Sequence, residues 1–216
     1  MKFQSIALSL ALCGVLLSSA ASAAEGVAAA NGAAPGSVEA GQTKAGPCAA
    51  CHGVNGNSVN PVWPTLAGQH QPYTVKQLKA FKNDERTDPL MSPMAKTLSD
   101  ADMEDVGAFF AAQTPTGLET EPSKVSDGQR LYRGGEPING IAACAACHGA
   151  AGAGNPTAKY PSIRGQHSAY VVAQLKAYRS GARKTDQQQN QMMRDVAAKL
   201  SDAQIDAVAS YVQGLR

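Results

Sequence analysis

Cys48-Ala49-Ala50-Cys51-His52-Gly53 governs the reading of this chain, because the same six letters return as Cys144-Ala145-Ala146-Cys147-His148-Gly149. Cys-x-x-Cys-His is the attachment signal for a c-type haem. Two thiols add across the two porphyrin vinyl groups, and one helical turn spaces them to match that edge. The adjoining His then falls beneath the iron and supplies one axial nitrogen. A thioredoxin-like pair gives no reason for His directly after the second Cys. Two Cys-x-x-Cys pairs could supply the four ligands of a zinc site. Two copies of the whole motif, each followed by Gly, favour haem over zinc, a redox pair or chance. Two haem c groups are expected, held by Cys48, Cys51, Cys144 and Cys147, with His52 and His148 on the irons.

The start of the chain bears on compartment. Met1-Lys2 precedes an apolar run from Ile6 to Leu17 and then Ala21-Ser22-Ala23. That is the layout of a secretory signal over residues 1–23, with cleavage expected after Ala23. The run is too short to span a bilayer as a helix. Cys13 follows Leu12, where a lipoprotein site wants a small residue, so it leaves with the signal. All other cysteines sit in the two motifs, and none remains for a structural disulfide.

Export leaves 18 basic and 17 acidic side chains, with no basic stripe that would suit nucleic acid. Residues 24–118 carry six basic against nine acidic residues, and residues 119–216 carry twelve against eight. The result is a dipolar molecule, whether the asymmetry steers a partner or is only solvated surface. Aromatics make up 5% of the chain, few for two cores. A buried porphyrin would supply the missing flat apolar surface. Each half is marginal alone at its size, so the chain without haem is expected to fold poorly.

Read as two copies, the chain divides into a flexible leader at 24–37, a first domain at 38–117 and a second at 118–216. Gly41-Gln42 and Gly128-Gln129 set the register. Glycine- and proline-rich loops follow each haem motif and end in Pro64-Thr65-Leu66-Ala67-Gly68-Gln69-His70 and Pro161-Ser162-Ile163-Arg164-Gly165-Gln166-His167. Helices are expected from Tyr73 to Lys82 and from Tyr170 to Arg179. Each copy closes on a capping box, at Ser99 and at Ser201, before apolar residues at helical spacing. Gly214 is the expected C-cap of the last helix. No alternating strand pattern occurs, so the fold class is all-α.

The sixth iron position needs a ligand, and a thioether there suits electron transfer. Met91, Met94 and Met103 are candidates in the first copy, Met192 and Met193 in the second. Only Met91 and Met193 are Met in both copies, each seven residues before a matching Leu, Leu98 or Leu200. His70 and His167 could compete for iron but read as surface or hinge residues. Trp63 and Tyr160 could donate to a haem propionate or simply pack on the haem edge. The Pro64 and Pro161 carbonyls are placed to accept from the ligand imidazoles and fix their tautomer.

With these motifs in hand, Val38 to Arg216 resembles the dihaem cytochrome c4 family. The resemblance rests on the two Cys-x-x-Cys-His motifs, the Pro-x-Leu/Ile-x-Gly-Gln loops, the Tyr-initiated helices, Met before Leu-Ser-Asp, and the ending Ser210-Tyr211-Val212-Gln213-Gly214-Leu215. It implies two tandem class I cytochrome c domains, pseudo-twofold related, with haem propionate edges meeting at the interface. It also implies a periplasmic electron carrier, loosely associated with the membrane, that feeds terminal oxidases. A shorter run between the Tyr73 helix and Met91 departs from the family and keeps Met94 open. The function expected is single-electron transfer between redox protein partners, a respiratory complex or terminal oxidase, with no small-molecule substrate and no catalysis. The competing class is a dihaem peroxidase or the haem subunit of a sulfur-oxidising complex.

Overall fold

The computed structural model describes residues 36–216. The signal segment, Cys13 and residues 24–35 of the leader lie outside the described residues. Ten α-helices, four short 3-10 turns and no strand occur among those described, with two isolated bridges, Glu136 to Ile141 and Asn155 to Tyr160. The first half holds α1 (Val38–Lys44), α2 (Ala49–His52), α3 (Gln71–Lys82), α4 (Met91–Lys96) and α5 (Asp100–Ala111). The second repeats them as α6 (Val125–Gly134), α7 (Ala145–His148), α8 (Ser168–Arg179), α9 (Met192–Ala197) and α10 (Asp202–Gly214).

Each half is built on a crossing of its first and last helices, α1 on α5 and α6 on α10. The repeated glycine is what lets the helices approach. A methyl group on Gly41 would overlap the Asp105 carbonyl and lie 2.8 Å from Phe109 Cβ. One on Gly128 would overlap the Ala207 carbonyl and lie 2.6 Å from Tyr211 Cβ. The third long helix, α3 or α8, covers the other side of this pair. Val75, Leu78, Phe81, Met103, Val106, Phe109 and Phe110 fill the first core. Leu131, Tyr132, Leu175, Ile205, Val208 and Val212 fill the second.

Both capping boxes form. Ser99 Oγ accepts from Asp102 N at 3.1 Å while Asp102 Oδ2 accepts from Ser99 N at 2.8 Å. Ser201 and Gln204 repeat the exchange at 3.2 and 2.9 Å. Ser37, placed by composition at the end of the leader, is instead the N-cap of α1, its Oγ accepting from Ala40 N at 3.2 Å. The helices expected at Tyr73 and Tyr170 start two residues earlier, at Gln71 and Ser168. Pro72 is tolerated in the first turn because its missing N–H would have had no helical partner. Gly214 is not a C-cap. It is the last residue of α10, where a side chain would meet Thr120 Cβ at 2.8 Å, and Leu215 caps the helix in an extended conformation. Its role is close packing, not a left-handed turn.

The halves meet face to face through reciprocal hydrogen bonds. Gln166 Oε1 accepts from Thr65 N and its Nε2 donates to Thr65 O, both at 2.9 Å. Gln69 does the same to Ser162, at 3.0 and 2.8 Å. Beside them Arg86 reaches Tyr170 and Gln174 across the interface, and Arg183 reaches Tyr73 and Gln77.

Candidate haem sites

The Cys-x-x-Cys-His motifs form single helical turns, α2 and α7. Gly53 and Gly149 end them at φ +78° and +77°, a conformation that L side chains rarely adopt. This accounts for the Gly after each His. The four described cysteines are free. Cys48, Cys51 and Cys144 are half-buried and Cys147 is exposed. Burial raises the Cys48 thiol and pushes that of Cys144 up to about 11. The four sulfurs do not gather with His, Asp or Glu into a metal-binding group among the described residues, so no zinc site is built here.

His52 and His148 are buried. His52 Nδ1–H donates to the Pro64 carbonyl at 2.8 Å and His148 Nδ1–H to the Pro161 carbonyl at 3.0 Å. A carbonyl oxygen can only accept, so the proton must sit on Nδ1 and the lone pair on Nε2. Burial holds both imidazoles below the usual histidine pKa, partly opposed by those same bonds. Each site therefore presents two thiols one turn apart and an oriented imidazole whose Nε2 carries the lone pair. That set of groups fits a c-type haem.

Met91 opens α4 and is partly buried against the first core, as is Cys48. Met193 in α9 is partly buried against the second core, as is Cys144. Met94 is 41% exposed, and Met103 is 0% exposed within the core. Met192 Sδ lies 4.0 Å from the Tyr160 hydroxyl. The short helices that carry these methionines had no sequence signal. Pro93 disguises α4, and α9 starts only after Asn190 and Gln191 take left-handed φ values of 50° and 61°.

His70 and His167 precede their helices as expected, but neither is left free at the surface. His167 is buried, its Nε2–H donating to the Ser58 carbonyl of the first half at 2.8 Å. His70 Nε2–H donates to the Ala153 carbonyl of the second half at 2.7 Å. Arg183, one of the basic residues of the positive half, is also buried. It is 4% exposed, lies 4.7 Å over the Tyr178 ring, and hydrogen-bonds only to neutral groups. Gln69, Gln166 and the arginines were missed as a site. The only available signal was the repetition of Gly-Gln-His in both copies.

Residues 38–113 and 125–216 each match the family model for cytochrome c. Cytochrome c4 of Thiocapsa roseopersicina is 47% identical over 182 residues, covering 83% of this chain and 93% of that protein. The chain belongs to the dihaem cytochrome c4 family. The crystal structure of reduced recombinant cytochrome c4 from Pseudomonas stutzeri is 42% identical and covers 84% of this chain and 100% of that one, with a TM-score of 0.81. A less similar relative, the thiosulfate dehydrogenase electron acceptor of Thiomonas intermedia (strain K12), is 36% identical and covers 83% of each chain. As a cytochrome c4 family member, the protein has two cytochrome c domains, carries two haem c groups and transfers electrons without being an enzyme.

Proposed function

We propose that residues 1–23 direct this chain to the periplasm, where its domains, 38–117 and 118–216, pass single electrons between respiratory partners towards a terminal oxidase. Covalent attachment is assigned to Cys48 and Cys51 in the first domain and Cys144 and Cys147 in the second. His52 with Met91, and His148 with Met193, would hold the two irons. When bound, the haem supplies one-electron ferric–ferrous chemistry. The observation that carries the reading is the pair of buried imidazoles, each with Nδ1 tied to a proline carbonyl at 2.8 or 3.0 Å. Each carbonyl fixes the tautomer of its imidazole and leaves the lone pair on Nε2. The partly buried placement of Met91 and Met193 supports them over exposed Met94 and fully buried Met103.

Among the described residues no helix is long and apolar enough to cross a membrane. The Thiomonas intermedia relative supports a second reading, in which the donor is a sulfur-oxidising enzyme and this chain receives its electrons.

The test is intact mass and redox titration of protein recovered from the periplasm. The expected result is a mass two haem groups above the chain from residue 24, and two one-electron waves. A single-haem mass would remove the assignment of both motifs. Reduction by thiosulfate plus a thiosulfate dehydrogenase, compared with reduction by a respiratory quinol-oxidising complex, separates the two donors.

A further inference from the structure

We infer that Gln69 and Gln166 are positioning residues that act across the interface, each holding the loop that orients the axial histidine of the opposite domain. This rests on the assignment of His52 and His148 as iron ligands. Thr65 directly follows Pro64, whose carbonyl accepts from His52, and both main-chain groups of Thr65 are held by Gln166 at 2.9 Å. Ser162 directly follows Pro161, whose carbonyl accepts from His148, and both of its main-chain groups are held by Gln69 at 3.0 and 2.8 Å. The orientation of the amides is unambiguous, because each oxygen faces an N–H and each nitrogen faces a carbonyl. Each amide oxygen also accepts from the N–H of the next residue, His70 or His167, at 3.0 Å. The side chain is thus pinned from its own domain while it grips the other.

A second contact of the same sense lies beside the first. His167 donates to the Ser58 carbonyl, and Ser58 Oγ lies within hydrogen-bonding distance, 3.1 Å, of the Cys51 carbonyl. His70 donates to the Ala153 carbonyl, and the next residue, Gly154, donates its N–H to the His148 carbonyl at 2.8 Å. Each domain therefore braces both the proline loop and the motif turn of the other. A hydrogen bond from Nδ1–H raises the basicity of the ligand imidazole and favours ferric iron. Loosening the clamp lengthens that bond and raises the potential of the haem in the opposite domain.

The test uses the full dihaem protein with Gln166→Met and Gln69→Met, which keep side-chain length and remove both bonds across the interface together with the one from the next residue's N–H. The readouts are haem-resolved potentials and the proton-exchange rate at each axial histidine Nδ1. Gln166→Met is expected to raise the potential of the first-domain haem and speed exchange at His52, with His148 unchanged. Gln69→Met is expected to do the reverse. Equal shifts of both haems in each variant would indicate general loosening of the interface and overturn the inference, as would a shift confined to the variant's own domain or no shift. If Gln166→Met does not fold, Gln166→Glu keeps acceptance from Thr65 N and replaces the donation to Thr65 O by repulsion between two oxygens. It should still speed exchange at His52, and unchanged exchange there would overturn the inference. Failure of the ligand assignment itself would show in the unsubstituted protein, as an axial histidine signal absent from His52 or His148.

Discussion

Gly41 on α1 lies directly against the main-chain carbonyl of Asp105 on α5, with no space between them for one methyl group. Neither group can yield, because the carbonyl belongs to a helix and the glycine sits mid-helix. Gly41→Ala should therefore force the helices apart and lower stability by about 1–3 kcal/mol, the usual cost of overpacking. Gly128→Ala should do the same to the second half, since its methyl would overlap the Ala207 carbonyl. Thermal unfolding of each variant measures both. A loss no greater than for alanine at exposed Thr43 would show that the crossing adjusts freely.

The methionine assignment gives a spectroscopic prediction. Met91→Ala should abolish the thioether-to-iron charge-transfer absorption of the first haem and lower its potential, and Met193→Ala should do so for the second alone. Met94→Ala and Met192→Ala should leave both bands in place, since Met94 points to solvent and Met192 sits beside Tyr160. Loss of the band in Met94→Ala but not Met91→Ala would move the ligand by one turn of α4.

Acid should separate the two halves. Lys44 lies 2.5 Å from Asp102 and 2.7 Å from Asp105, and its ammonium holds both carboxyls below their usual range. Carboxylates with depressed folded values stabilise fully above about pH 4 and lose that contribution as pH falls through the folded values. Lys44, raised by the same partners, adds its share until the pH climbs past the usual lysine range. In the second half the position of Lys44 is Leu131, 2% exposed in the core. Amide exchange, corrected for intrinsic rates, should show α1 loosening at pH 3 relative to pH 6 while α6 does not. Equal loosening of both would mean the ionic tie is idle.

Charge-steered docking would rest on the exposed, unpaired charges of the positive half. Arg183 is buried, and Lys176 and Arg179 are both paired with Asp202 at 3.0 and 2.5 Å. Lys184 and Arg130 remain exposed on the positive half. Lys184→Glu with Arg130→Glu should change the association rate with a redox partner, and the difference should shrink as salt rises, because screening acts over about 8 Å at physiological ionic strength. Stopped-flow electron transfer across an ionic-strength series measures it. A rate independent of both charge and salt would leave the asymmetry without a docking role.

The two haem motifs, the duplication, the all-helical class and the capping boxes were legible because each is local: a fixed spacing, or a side chain meeting its own backbone three residues away. Gly41 and Gly128 were legible as a register mark, but their reason, contact with a carbonyl more than sixty residues on, belongs to the crossing. Tertiary structure alone decided the fates of Gln69, Gln166, His70, His167 and Arg183. A glutamine amide carries no sequence mark that distinguishes solvent from a backbone 101 residues away. An arginine reads as a solvated charge until aromatic and amide groups from two domains close around it. The sequence by itself determined what each domain can hold. Only the pairing of two such domains decided which polar groups leave water, because a buried amide or guanidinium is tolerated only where another part of the chain satisfies it.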